Sequence, residues 1–404
     1  MKTDIAIVGA GPAGARAAYD LARHGARVVL FDPSHPREKP CGGGITGRAL
    51  ALAEDMVDPR SMDAVAIRSA RFMTRAHLDA RPGSGPSRVR PGSVPGPSPR
   101  SVAVPLDGHG LVVSSRTQFD GALLAAAVRA GAVHERARAV DVSVGEDGVT
   151  ITTTRGRHRA DFVIGADGPN SLVRRRVTRV FRRDQLSIAT GFFADGVTSD
   201  EIVIELVSDP PGYIWSFPRP DHLAIGICAP ADRGNPAGSL RRTVAEWTER
   251  TGIARGATLR AYSWPIPSLA RPDLEALAVA GPRWCLVGDA AGLVDPISRE
   301  GIFFALASGQ WAAESLATSD PTKHYSARVR DEALAELAHA ARLQAGFFRP
   351  QFTDLIACAL AESAAIRRVM ADLIAGRQRY ATLKWRLLGT LEFGLAWRSL
   401  LAAR

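Results

Sequence analysis

Apolar positions along this chain follow two rhythms, and the places where the rhythm changes divide it into regions. From Ile5 a short continuous run, IAIV, is followed by a glycine turn, a helical stretch over about residues 12–24, and a second run, RVVLFD, ending at Asp32. Continuous rather than alternating runs predict strands covered on both faces, so the start reads as a βαβ unit of a parallel sheet. An amphipathic helix, SSRTQFDGALLAAAVRAGA, begins near Thr117, and the alternating segments VDVSV and GVTITTT then lead to the buried run DFVIGADG. Between about Val177 and Trp264 the period is mostly two, in DEIVIELV, YIWSFP and HLAIGICA, which predicts an antiparallel sheet. WCLVGDAAGLV returns to parallel-strand character ahead of a helix, and from about Pro321 the pattern is largely helical.

The expected organisation is α/β. A discontinuous cofactor domain (residues 1–65, 106–176 and 278–320) is interrupted by an antiparallel-sheet substrate domain (66–105 and 177–277) and followed by a helical C-terminal region (321–404). Residues 82–105 are dense in Pro, Gly and Ser, carry few large apolar groups with which to build a core, and are expected to form a mobile surface loop.

Composition narrows the class. A chain of 404 residues is long enough for two or three domains and for a large buried cofactor. Apolar content of 46% and charged content of 23% are ordinary for a soluble globular enzyme. The net charge of +10 comes mostly from arginines spread along the chain, with no zinc-finger spacing or aromatic RNA-binding signature, so nucleic acid is not an expected partner. Cys41, Cys228, Cys285 and Cys358 lie far apart without a CxxC pair, which argues against a zinc site or a disulfide framework and fits a reducing cytoplasm. The N-terminal MKTDIAIVGAG enters a strand directly, so no secretory signal is expected, and no stretch approaches the ~20 apolar residues of a spanning helix.

The candidate chemistry begins with GAGPAG, residues 9–14, between strand and helix. Gly9 permits the tight turn, Gly11 lets backbone approach a pyrophosphate, Gly14 lets helix and strand pack closely, and Ala13 shares the same turn. Asp32 ends the second strand where a carboxylate can accept from ribose hydroxyls. This spacing indicates a dinucleotide without separating FAD from NAD. Two later segments bear on that choice. GADGPNS (165–171, with Asp167) and GDAAGLVDPISREGI (288–302) resemble the second and third fingerprints of flavoproteins with the para-hydroxybenzoate hydroxylase type of fold. The resemblance implies FAD bound by a Rossmann-like domain. It also implies that Gly288 and Asp289 sit at the ribityl chain, and that the helix after Gly301 and Ile302 points its N-terminus at the flavin pyrimidine edge. There its dipole, worth about half a charge, would favour anionic reduced flavin. Arg116, in SRTQFD, matches a family arginine placed near the cofactor.

The segment KPCGGGIT, residues 39–46, sets a cysteine before three glycines. With PPGYIWSFPR (210–219) it resembles geranylgeranyl reductases, whose sequences carry a PCGG-like segment and a PxxYxWxFPK motif; Arg219 stands where that motif has lysine. The tail GRQRYATLKWRLL (376–388) resembles bacterial members less specifically. The resemblance implies that Cys41, Gly42 and Gly43 lie by the isoalloxazine and Gly44 by the substrate. Alternation sets Tyr213, Trp215 and Phe217 on one strand face, suited to lining an apolar slot for a polyprenyl chain. The implied reaction moves hydride from N5 of reduced FAD to one alkene carbon and a proton to the other. A free thiol, ionising near pH ~8.5 in model peptides, carries its proton at neutral pH, so Cys41 is one candidate donor and Tyr213 the other. Ala305, Leu306 and Ala307 are candidates for the wall that excludes water and oxygen.

Other readings stand beside this one. Flavin-dependent halogenases share the fold and a WxWxIP segment, from which Tyr213 and Phe217 depart, and a monooxygenase fits on fold alone. A flavoprotein that only binds prenyl lipid or relays electrons is a further alternative. No second GxGxxG unit is present, which leaves NAD(P)H or a ferredoxin partner as electron donor. Near the end, Arg367, Arg368, Arg377, Arg379, Lys384, Arg386 and Arg398 mix with Trp385, Leu388, Phe393, Leu395 and Trp397. Such a mixture suits a helix at an anionic bilayer surface, equally a solvated helix packed on the body. The location read from these features is cytoplasmic, with peripheral contact at the inner face of the membrane.

Overall fold

The computed structural model describes residues 3–73, 101–108, 110–232, 234, 236–390 and 392. Of the 82–105 segment, residues 82–100 lie outside the described residues, as do Phe393, Leu395, Trp397 and Arg398.

An eight-stranded sheet organises the first part of the chain. Strand Thr3–Val8 pairs parallel with Val28–Phe31 on one side and with the end of Gly156–Gly165 on the other, and Trp284–Leu286 extends the parallel set. The registers Phe31↔Val8, Val8↔Gly165 and Gly165↔Leu286 stop four strands along one row. The residues that follow (Asp32, Gly9, Ala166 and Val287) therefore emerge side by side at the carboxyl edge, where open α/β sheets bind their ligands. The start of Gly156–Gly165 departs from this pattern: it pairs antiparallel with Gly148–Thr153, which pairs with Ala139–Gly145. Helix Pro12–Arg23 packs against helix Ile302–Leu316, where a Cβ at Gly309 would collide with the Ala13 carbonyl.

The second sheet has seven strands, in the order Thr258–Pro267, Leu186–Asp195, His222–Pro230, Pro211–Pro218, Glu201–Ser208, Ser69–Met73 and Ser101–Pro105. It corrects the sequence reading in three places. Ser101–Pro105 is an edge strand rather than loop, because Val104 alternates inward to full burial while the strand pairs with Ser69–Met73. Glu201–Ser208 runs parallel to Ser69–Met73 in a sheet expected to be antiparallel throughout. Helix Ala237–Thr251 interrupts the run of strands and seats Trp247 against the back of the sheet, where its indole donates to Glu205 at 2.9 Å.

A three-stranded sheet joins these layers: Gly44–Thr46 pairs antiparallel with Leu111–Ser114, which also pairs with Ala64–Ala66. The glycine run after Cys41 thus feeds straight into a strand. From Pro321 to Leu388 the chain is helical, as the pattern predicts. Among the described residues no helix is long and apolar enough to cross a membrane.

Candidate functional site

At the carboxyl edge of the parallel sheet the turn after Val8 is made by backbone. Gly9 has φ +102°, and a Cβ there would collide with the Ala166 carbonyl; one at Gly14 would collide with the carbonyl of Gly9. Helix Pro12–Arg23 starts with no side-chain cap at Gly11, so its first amides face the cavity uncapped. Asp32 is held by its own chain: Oδ2 accepts from Ala10 N at 3.0 Å, and Oδ1 from Ser34 N at 2.8 Å and His35 N at 3.0 Å. His35 Nδ1 lies 2.8 Å from Oδ2. Burial works against this charge, yet the imidazole and the backbone donors outweigh it and hold the carboxyl well below the usual range. The acid expected to receive ribose thus already carries donors from its own loop and from the glycine turn. His35 also faces Asp120, with Nε2 at 3.6 Å from Oδ2; burial opposes its charge, but the two carboxylates prevail and raise its pKa.

From Asp120 the network continues to Cys41. Arg116, buried at the start of helix Arg116–Arg129, grips both oxygens of Asp120 at 2.8 Å and sets Nη1 3.6 Å from the Cys41 sulfur. Arg219, fully buried, donates to the Cys41 carbonyl at 2.9 Å and to Glu38 at 2.5 Å. Lys39, one residue before the Pro–Cys step, pairs with Asp289 at 2.7 Å. The neighbours that require glycine after Cys41 are parts of this protein. A Cβ at Gly42 would stand 3.0 Å from the Phe217 ring, one at Gly44 3.1 Å from it, and one at Gly43 (φ +82°) 2.5 Å from the Ser114 carbonyl.

Across the cavity the second sheet presents its face in rows. Tyr213, Cys228, Ala189 and Trp264 are cross-strand neighbours, and all four line the cavity. In the next row Trp215 and Tyr262 close over Gly226, where a Cβ would lie 2.5 Å from the Tyr262 hydroxyl and 2.6 Å from the Trp215 ring. The Tyr213 hydroxyl donates to the Ser298 carbonyl at 2.6 Å, and burial pushes its pKa up, so its proton is engaged and a weaker acid than usual. The remaining wall comes from the C-terminal helices, through Phe352, Ile356, Leu373, Leu383 and Trp385 among others. Tyr380 ties the last helix down by a 2.9 Å bond to Asp295.

The cavity enclosed by these parts measures about 1670 Å³, beyond the ~300–1,000 Å³ of a single small-molecule pocket. Gly9, Gly11, Ala13, Asp32, Cys41, Gly42, Gly43, Gly44, Arg116, Asp167, Tyr213, Trp215, Phe217, Asp289, Gly301 and Ile302 all line it. Gly14 and Gly288 do not: they stand behind the wall, where Gly14 packs on Gly9, and Gly288 (φ +55°) leaves 3.2 Å between a Cβ and that of Ala13. Asp167 reaches the wall, but its carboxylate caps helix Leu172–Val177 through Leu172 N at 2.6 Å and Ser171 Oγ at 2.5 Å. Of the three candidate wall residues on helix Ile302–Leu316, Ala305 lines the cavity while Leu306 and Ala307 are core.

A family model described as an FAD binding domain matches residues 2–317. The chain is 30% identical over 418 aligned residues to a menaquinone reductase of Mycolicibacterium smegmatis, covering 96% of each chain. It is 32% identical over 331 residues to a geranylgeranyl diphosphate reductase of Rhodobacter capsulatus, covering 78% of this chain and 75% of that one. The chain belongs to the geranylgeranyl reductase family of FAD-dependent oxidoreductases. A crystal structure of a geranylgeranyl bacteriochlorophyll reductase-like protein from Thermoplasma acidophilum superposes with a TM-score of 0.74 at 22% identity, over 96% of this chain and 99% of that one, and so shares the fold.

For this reductase-family chain the residues present fit FAD. The glycine turn leaves room for backbone only, the uncapped helix start beside it suits a pyrophosphate, and the Asp289 carboxylate stands on the wall near Gly301. Several site residues escape sequence reading. Lys39, His35, Glu38 and the role of Arg219 depend on partners far away in the chain, such as the 250 residues between Lys39 and Asp289. The apolar spacing of 352–388 signalled helices, but nothing in it said which wall they would form.

Proposed function

We propose that this protein saturates carbon–carbon double bonds in the isoprenoid chain of a lipid, either a prenylated quinone or a prenyl diphosphate. The observation that carries the reading is that Cys41 and the Tyr213–Trp215–Phe217 strand face line one cavity with the dinucleotide cradle. Bound and reduced, FAD supplies the hydride. The chain does the rest. Tyr213, Trp215, Phe217 and the C-terminal helices hold an extended apolar chain and keep water away from it. Cys41 delivers the proton to the second alkene carbon, and the Arg116 guanidinium beside the sulfur is positioned to balance the thiolate left behind until solvent returns a proton. Tyr213, whose hydroxyl is engaged with Ser298, shapes the slot instead of feeding protons into it.

The names of the two relatives, one a quinone reductase and one a diphosphate reductase, support a prenyl substrate while differing in its head. Anaerobic incubation with prenyl quinones and with geranylgeranyl diphosphate, comparing NADPH, NADH, reduced ferredoxin and dithionite as donors, tests the reading by mass spectrometry. A product heavier by one pair of hydrogens supports it. Product only with oxygen present would instead indicate a monooxygenase, and binding without product a carrier.

We also infer that the cavity mouth rests on an anionic bilayer. Leu343, Phe352, Leu387, Leu388 and Trp385, the last 71% exposed, are large apolar side chains on the cavity rim, with Arg342 and Lys384 beside them. Co-sedimentation with anionic vesicles at low salt should be strong in the intact protein and weaker in Trp385→Ser; equal binding by both would rule out this contact.

A further inference from the structure

Tyr213, Trp215, Phe217 and Arg219 alternate along one strand and its exit, so they share a face. The first three line the cavity. The fourth is fully buried and points at the cysteine turn. The hairpin that carries Arg219 does not need that side chain for its own closure, because its backbone N–H already donates to the His222 carbonyl at 2.7 Å.

A buried guanidinium is costly unless its charge and its donors are met. Arg219 meets them in one place. Nη1 donates to Glu38 at 2.5 Å and Nη2 to the carbonyl oxygen of Cys41 at 2.9 Å, while Nε has no partner among the described residues. Glu38 is shared: it also accepts from Ser115 Oγ at 2.7 Å and from the backbone amides of Arg116 and Thr117 at 3.3 Å, at the start of the helix that presents Arg116 to the sulfur. One carboxylate therefore couples the arginine on the Cys41 carbonyl to the arginine on the Cys41 thiol. Phe217 completes the clamp by packing against Gly42 and Gly44, on either side of Gly43, where a Cβ would stand 2.8 Å from Arg219 Nε.

We infer that the Arg219–Glu38 pair is a positioning device for Cys41, fixing the thiol against the same strand face that lines the substrate slot. Arg219 is a positioning residue and not a catalytic one, since its hydrogen bonds go to Glu38 and to backbone. The inference rests on the reading of Cys41 as the proton donor, but it makes a claim about the turn itself that can be measured without any substrate.

The test compares FAD-loaded wild type with Arg219→Lys and with the double variant Arg219→Met/Glu38→Gln, which removes both charges together and leaves neither buried alone. Alkylation by iodoacetamide is followed by mass spectrometry at Cys41, with half-buried Cys358 as the internal reference. The double variant is expected to alkylate Cys41 about tenfold faster, the equivalent of ~1.4 kcal/mol of lost hold, with Cys358 unchanged. Arg219→Lys keeps the charge opposite Glu38 without the planar fork and should fall between the two. In reduction assays kcat should drop while KM stays within about twofold, a split expected when geometry is lost without binding. Cys41 alkylation within about twofold of wild type in both variants overturns the inference. Accelerated alkylation in a protein whose wild type reduces no prenyl compound leaves the inference standing and removes the proposed function instead.

Discussion

The two ends of the cavity are built from different materials. Where the parallel strands stop, the row Phe31, Val8, Gly165 and Leu286 delivers its next residues to one edge, and the surface offered there is backbone: the Gly9 turn and the bare first turn of the following helix. At the far end the surface is side chains, Tyr213, Trp215 and Phe217 from a strand and Phe352, Ile356, Leu373 and Leu383 from helices well over a hundred residues later. A site made of backbone has one acceptable residue at each tight point, because no rotamer can move a carbonyl out of the way. A site made of side chains can repack, so it sets preference more than existence.

The first way to break this comparison is to put a side chain where only backbone fits. Gly14→Val should abolish FAD binding, because its Cβ would collide with the Gly9 carbonyl, which belongs to the cradle itself. The cost should exceed the ~1–3 kcal/mol of ordinary core overpacking, so bound flavin per protein, read from absorbance after gel filtration, should fall at least about tenfold. Normal flavin content would mean the turn is as forgiving as the slot. At the other end, Leu373→Gln places a polar group on the helical wall. Leu373 is half-buried, so loss of part of the ~1.5–3 kcal/mol that full burial of a leucine contributes should raise KM for a prenyl substrate by up to about tenfold, with FAD content unchanged. A variant that loses flavin and leaves KM alone would place Leu373 in the wrong half of the cavity.

The same contrast explains what could be read in advance. GAGPAG, GADGPNS and the GD segment were legible because each is a local backbone requirement written in consecutive residues, and all three arrive at the carboxyl edge. The CGGG run was legible as a place where something approaches closely, but not what: the neighbours are Phe217, Ser114 and Arg219, from other strands. Ser101–Pro105 was misread because a five-residue edge strand with serine and proline at its ends shows too little alternation beside a Pro/Gly/Ser tract. The pairing of Lys39 with Asp289 and the docking of Tyr380 on Asp295 left no local trace, since neither residue type at those positions demands its partner. Contacts that depend on tertiary approach over such separations are visible only once the sheets are assembled.

The smallest expected effect concerns a residue that stands between the two materials. His35 belongs to the loop after the second parallel strand, lies 3.7 Å from where a Cβ at Gly11 would be, and yet connects by side chain to Asp32 and Asp120, and through Asp120 to Arg116 and the Cys41 thiol. Burial opposes its protonation, but the two carboxylates win and raise its pKa in the folded protein. A group with a raised folded value stabilises fully below its unfolded pKa of about 6.5 and loses that contribution as pH climbs through the folded value. Asp32 and Asp120 are shifted down, so their contributions are present above the normal carboxylate range of about 3.9 and do not vary in the same window. The Tm gap between wild type and His35→Asn should therefore be wider at pH 6 than at pH 9. FAD content should change little, because the cradle is made by Gly9 and Gly11. If the gap is the same at both pH values, the His35 pKa does not change on folding and the residue acts only by packing. If flavin is lost with the imidazole, the backbone cradle depends on a side chain after all, and the distinction between the two ends of the cavity has to be redrawn at this residue.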